Sequence, residues 1–350
     1  MQNGPYQLSN KHTLIARTHS WTEHANYLII DQPAGVGLSF GKKGTYRHEA
    51  DVIDQLYQAL QLFFTRFPEL ASRPFYIAGE SYAGKYIPQL ATRILADNNA
   101  KHGIHGIRLK GILIGDGWVN PRLQQSTNAD FAYAHGLIDS NTHKKVSALY
   151  RQCANEIDKA TPSSAHANEV CNKIQALIKE KSGNLSLVNI QTGKEPDDTM
   201  MIHYLNQPAV RKALHVEANA GEFRTFNQMA SDILRVGEQD SVAELYTQLL
   251  EKHLPVLIYN GLDDGTDSNF MGTDKWLSAL SWTGNDKFAK SSTCVWHVNK
   301  DVAGYTKTYA GLTQIKIRNA GHLAPADQPE ILASLLAKFI NTQPFCRASA

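Results

Sequence analysis

The stretch Phe75–Leu95, FYIAGESYAGKYIPQLATRIL, decides how the rest of the chain is read. A β-rich apolar run, Phe75–Gly79, breaks at a serine set among small residues and resumes from Ala83 to about Ala96 with helical spacing. Two chemistries share these letters. Gly79, Gly84 and Lys85 have the G-x-x-x-x-G-K spacing of a phosphate-binding loop, but Tyr86 stands where a Ser or Thr hydroxyl would hold Mg²⁺. Among the strands that follow, only LKGILIGD offers that loop an acidic end, Asp116. The other reading is a nucleophile on a strand-to-helix turn, whose strained backbone demands small neighbours. Gly79 lies two residues before Ser81 and Ala83 two after it, which favours this reading.

A serine hydroxyl is a poor nucleophile near neutral pH, so a base and a carboxylate that orients it must exist elsewhere. The helix beginning at Ala83 would point its N-terminal N–H groups at Ser81, and the Tyr82 N–H could stabilise an oxyanion. On such a turn the partners follow in the order Ser, Asp, His, each at a strand end. They do: VLIYNGLDDGTDSNF ends a strand in an acidic loop, and IKIRNAGHLAPADQPE ends the next in a Gly-His turn carrying His322.

Outward from these motifs the chain alternates. NYLIIDQPAGVGLSF reads as a buried parallel strand running into a loop. EADVIDQLYQALQLFFTRFPEL places Val52, Ile53, Leu56, Leu60, Phe63 and Phe64 on one helical face, stopped by Pro68. Strand, helix, strand, helix, strand predicts an α/β fold with a doubly wound, mostly parallel sheet. A first part of the core, with the nucleophile turn, spans 1–120; a polar, largely helical insertion or cap spans 121–216; and 217–350 returns to the core with the Asp and His. In that last part CVWHVNKDVAGYTKTYAGLTQIKIRNAG predicts antiparallel strands around Val302–Gly304, and a helix follows with Ile331, Leu335, Leu336, Phe339 and Ile340 on its apolar face.

Composition bounds the function. The chain has 350 residues, 42% hydrophobic and 19% charged, enough for a large core. A net charge of +2 argues against nucleic acid or an anionic membrane as partner, and no apolar run approaches the length of a membrane span. No secretory signal is written in MQNGPYQLSN. Cys153 and Cys171 flank a helix-forming segment and could clip it into a hairpin, although cysteine count alone also allows four free buried thiols. Asn184-Leu185-Ser186 is a glycosylation sequon. No spacing suggests zinc, and the acidic loop lacks the alternating ligand pattern of a calcium site; no metal or cofactor is expected.

GESYAGKYIP, YNG…D, AGHLAPADQPE and SWTEHANYLIIDQPAGVGLSF together resemble the serine carboxypeptidases, a branch of the α/β-hydrolase fold, from Asn3 to about Phe345. The resemblance implies removal of single residues from the C-termini of peptides or proteins, best at acidic pH, in a lysosome, vacuole or secretion, with homodimers common. It implies Ser81 as nucleophile, His322 as general base and then acid, and an aspartate orienting His322. The loop from Gly261 to Gly272 is one residue longer than the family's pattern; counting forward gives Asp264, with Asp263 second. The resemblance also implies that Glu80 binds the substrate's terminal carboxylate, supported by a second position occupied here by Gln2. An amide there donates without proton uptake, which extends the expected activity towards neutral pH. The family's WLNGGPG segment, source of the second oxyanion donor, is not in this sequence. Two readings follow: a serine-type carboxypeptidase, or a catalytically impaired homologue that binds peptides or proteins. Acyl transfer to a small alcohol would use the same three residues.

Overall fold

Runs such as Ile112–Ile114 and Val256–Tyr259 have no polar face, so they form strands covered on both sides. The computed structural model describes residues 2–9, 13–41, 46–159 and 162–346. Strands β1 (Tyr6–Leu8) and β2 (Leu14–Ala16) make a small antiparallel hairpin. The main sheet contains β3 (Phe75–Glu80), β4 (Leu109–Gly115), β5 (Val256–Gly261), β6 (Cys294–Val298), β7 (Asp301–Tyr309) and β8 (Leu312–Ile317). Its order is β3-β4-β5-β8-β7-β6; the first four are parallel, and β7 and β6 extend it antiparallel.

Successive side chains of these strands feed opposite layers. Ile112, Ile114, Val256 and Ile258 pack with the helices Glu49–Arg66, Ala83–Ala100, Ala243–Glu251 and Phe270–Ser278. Leu113, Leu257 and Tyr259 pack the other way, against Trp21 and the helix Pro329–Ile340. This is the doubly wound, mostly parallel α/β sheet that the alternation predicts.

Between β4 and β5 the chain is helical. Helices Ser140–Ile157 and Ala165–Lys181 pack as a hairpin with a buried cluster of its own, including Val146, Cys153, Cys171, Ile174 and Ile178. The Cys153–Cys171 disulfide joins them. Helical structure continues past residue 216, through Gln228–Leu234, before Ala243–Glu251 rejoins the core.

Three local expectations change. NYLIID forms no strand: Tyr27, Leu28 and Ile29 are exposed, and a groove of about 670 Å³ lies between this segment and Phe75–Ile77 of β3. Pairing needs backbones about 4.8 Å apart, so a gap of that size leaves the segment without a ladder. Val302–Gly304 lies inside β7, and the reversals fall instead at Asn299–Lys300 and Ala310–Gly311, where Asn299 and Ala310 take positive φ. The four cysteines are not free thiols, since Cys294 also pairs with Cys346.

Candidate active site

The turn after β3 is held in a conformation that most side chains avoid. Ser81 has φ +60°, its N–H donates to the Gly115 carbonyl at 2.9 Å, and its own carbonyl accepts from Gly84 N at 2.9 Å and Trp118 N at 2.8 Å. Non-glycine residues in the left-handed region are uncommon, and such strain gathers at functional sites. The small neighbours have a direct steric cause. A Cβ on Gly79 would stand 2.6 Å from the Ala83 Cβ, and one on Gly84 would stand 2.7 Å from Trp118 N. Tyr82 precedes the helix Ala83–Ala100, so its amide sits at the positive end of that helix, while its hydroxyl donates to Glu49 Oε2 at 2.6 Å.

Lys85 closes the phosphate-loop reading. Its buried ammonium donates to the carbonyls of Gly237 (2.6 Å), Glu238 (3.2 Å) and Asp240 (3.1 Å). The cation tethers the segment around Gly237–Asp240 to the helix, and its three donors are taken by these carbonyls.

Because β3, β4, β5 and β8 are parallel neighbours, the loops after β3, β5 and β8 emerge on one edge. There Asp264, fully buried, meets His322: Asp264 Oδ2 lies 2.9 Å from His322 Nδ1, and Asp264 Oδ1 accepts the Thr266 N–H at 2.8 Å. The Thr266 hydroxyl lies 3.3 Å from the same ring nitrogen. Asp263 instead bridges loops through its backbone, donating to Ala320 O at 2.8 Å and accepting from Ile190 N at 3.0 Å. Glycines let the loops close: a Cβ on Gly261 would stand 2.1 Å from the Gly321 carbonyl. His322 N donates to Val188 O at 2.7 Å, and Asp327 accepts from Gly321 N at 2.8 Å and Asn189 Nδ2 at 2.9 Å. The insertion therefore braces the histidine loop. Among the described residues no hydrogen bond joins the Ser81 hydroxyl to the imidazole; such contacts often tighten only with substrate bound.

Burial opposes a charged imidazole at His322, yet the adjacent charge and hydrogen bond of Asp264, with Glu80 and Asp267, hold its pKa above the ordinary histidine value. Burial pushes the Glu80 carboxyl up to about 8, and His322 and a hydrogen bond from Gln2 only partly offset it. Glu80 Oε2 is buried and finds no hydrogen-bond partner among the described residues. The structure thus brings Gln2, Glu80 and His322 together. Tyr27 belongs to the same group: Asn3 hydrogen-bonds to it, and its hydroxyl feels the charge of Glu80.

Sequence reasoning missed Asn3, Tyr27, Thr266, Asp267 and Asp327 as neighbours of the site, and weighed Asp116 only for a phosphate loop. Position at a strand end was a usable signal for Asp116; Tyr27, Thr266, Asp267 and Asp327 lie inside stretches quoted above, but nothing in those letters singled them out. Burial raises the Asp267 carboxyl to about 6 despite hydrogen bonds from Gln175 Nε2, at 2.8 Å, and Asn128. Asn184 is exposed, just beyond the helix Ala165–Lys181 and away from this cluster in the chain, with Cys153 and Cys171 inside the helical hairpin.

Comparison with known proteins supplies the rest. Residues 1–342 match the family model described as serine carboxypeptidase. The chain is 33% identical over 351 residues to serine carboxypeptidase-like 48 of Arabidopsis thaliana, covering 97% of this chain and 68% of that protein. It is 34% identical over 358 residues to the venom serine carboxypeptidase of Apis mellifera, covering 99% and 74%. In fold it is similar to Kex1(delta)p, a prohormone-processing carboxypeptidase from Saccharomyces cerevisiae, with a TM-score of 0.84 at 24% identity over 97% of this chain and 79% of that one.

Proposed function

The chain belongs to the serine carboxypeptidase family and is a serine-type carboxypeptidase; from that premise we propose that Ser81, His322 and Asp264 carry its chemistry. Ser81 Oγ attacks the carbonyl of the last peptide bond while His322 takes its proton. The imidazolium, held by Asp264, then protonates the departing amino acid. The Tyr82 N–H faces the oxyanion. Water, deprotonated by His322, hydrolyses the acyl-enzyme and frees Ser81. Glu80, neutral below about pH 8, donates to the substrate's terminal carboxylate with Gln2 beside it. The observation that carries this reading is the buried Asp264–His322 pair on the same sheet edge as the strained Ser81.

Ser81→Ala and His322→Ala test it on an N-blocked dipeptide. Each should lower kcat by at least about 10⁴ with an unchanged circular dichroism spectrum. Appreciable turnover by folded Ser81→Ala overturns the mechanism.

No helix among the described residues is long and apolar enough to cross a membrane. A lysosomal, vacuolar or secretory route is the further part of this proposal. It is supported by the pairs Cys153–Cys171 and Cys294–Cys346, which persist in oxidising compartments, and by the exposed Asn184 of the sequon. Glycosidase treatment of native material should lower its mass; an unmodified Asn184 in that material would count against the route.

A further inference from the structure

Asp116 follows the end of β4, directly beneath the catalytic pair, and is fully buried. Its backbone is left-handed, with φ +43°, and its N–H donates to Tyr259 O at 2.8 Å. One carboxylate oxygen, Oδ1, accepts from Gly261 N at 3.0 Å and Asn260 Nδ2 at 3.3 Å. The other, Oδ2, is buried and receives no donor among the described residues. Asp116 nevertheless lies beside Asp264: one oxygen of each carboxyl and a ring nitrogen of His322 all lie within 4.8 Å of one another. Two carboxyl groups this close in a dry site strongly disfavour double ionisation, so one of them is the natural holder of a proton.

The surroundings decide which group carries it. Asp264 receives the Thr266 N–H and faces the His322 imidazole, the group that becomes cationic during turnover. Asp116 receives one backbone N–H and one neutral amide; of the other titratable groups around the pair, His322 bonds to Asp264, while Glu80 from β3, Tyr259 from β5 and Asp267 from the loop after β5 are acidic. We propose that Asp116 is a positioning residue of the catalytic array, a neutral carboxylic acid that donates its Oδ2 proton to Asp264 and so holds that carboxylate against His322. Asp264 then accepts three hydrogen bonds, which fix its plane, and Asp116 adds no negative charge of its own beside the imidazole. Burial, followed by the charges of Asp264 and Glu80, acts in the same direction, raising the Asp116 carboxyl well above its ordinary range. The proposal rests on the Ser81–His322–Asp264 reading for its function, but the proton on Asp116 can be observed without turnover.

The test compares Asp116→Leu and Asp116→Asn in the full chain. Leucine removes the donor and should lower kcat by on the order of tenfold to a hundredfold through misplacement of Asp264. Asparagine restores a donor of the same shape and should recover most of that loss, with the acid limb of the pH–rate profile at the parent position. An infrared difference spectrum, parent minus Asp116→Asn at neutral pH, should show the carbonyl stretch of a protonated carboxylic acid. If Asp116 were ionised, the asparagine variant would lower the His322 pKa and move the acid limb to lower pH, and the band would be absent; either result overturns the proposal. Equal losses in the two variants would also overturn it. If Asp116→Leu does not fold, the asparagine profile and the infrared band decide. Turnover by Ser81→Ala in the same assay would sink the triad reading separately, leaving the band to judge Asp116.

Discussion

The Tyr246 hydroxyl donates to the Gly84 carbonyl across 2.7 Å, with Tyr246 fully buried. In an uninterrupted helix that oxygen would accept the N–H of residue 88, but residue 88 is proline and has none. A side chain from the helix Ala243–Glu251 therefore completes the first turn of the helix that follows Ser81, and ties that helix to one more than 150 residues further along the chain.

Removing that hydroxyl leaves a buried carbonyl unsatisfied while preserving the ring's packing against Trp276. Tyr246→Phe should destabilise the fold by about 1–3 kcal/mol, read from urea denaturation. An unchanged midpoint would mean that water or a backbone shift satisfies Gly84.

The two perturbed groups set a pH window. In the proposed mechanism His322 is neutral when it accepts the Ser81 proton, and its pKa is held above the ordinary value, so kcat/KM should fall as pH drops through that raised value. Glu80 must be protonated to donate to the substrate, so kcat/KM should fall again as pH rises through about 8. The optimum is then nearer neutrality than the acidic one the family resemblance suggests. Gln2→Glu would require both carboxyls to be protonated, and should move the basic limb to lower pH. Superimposable profiles for parent and variant would remove Gln2 from the carboxylate site.

Glu80 also leaves a signature in stability. Its folded pKa lies above its unfolded one, so its contribution is greatest at low pH and is lost as pH rises through about 8. Glu80→Gln should gain thermal stability relative to the parent on going from about pH 6 to about pH 9. A constant difference across that range would show that the carboxyl is ionised throughout.

The Cys153–Cys171 bond closes a loop of 18 residues, and Cys294–Cys346 closes one of 52. Loop-closure entropy assigns the first about 3 kcal/mol and the second about 4 kcal/mol. Paired alanine substitutions, compared by chemical denaturation, should therefore lose more at the second bond than at the first. The reverse order would show that the helical hairpin depends on its cross-link beyond chain entropy.

Much of this was legible without coordinates. Alternation between short apolar runs and amphipathic segments located β3, β4, β5 and the helices Glu49–Arg66, Ala83–Ala100 and Pro329–Ile340, because period and turn composition are written in neighbouring residues. The segment Asn26–Asp31 has the same local pattern but forms no strand, since a ladder needs a partner at the right distance and apolar letters do not provide one. Position at strand ends likewise marked Ser81 and His322, whereas four aspartates, 116, 263, 264 and 267, had comparable local context.

The sequence by itself determined the order Ser, Asp, His, the small residues that let the turn at Ser81 close, and the alternating sheet that would carry them. Only the tertiary structure decided that Asp264 faces His322, that Asp116 lies behind it, that Gln2 reaches Glu80, and that Lys85 holds the carbonyls of Gly237, Glu238 and Asp240. The physical reason is the strand order β3-β4-β5-β8, which brings loops that are distant in the chain to one edge. The field on each titratable group there comes from residues that are its neighbours in space and not in sequence.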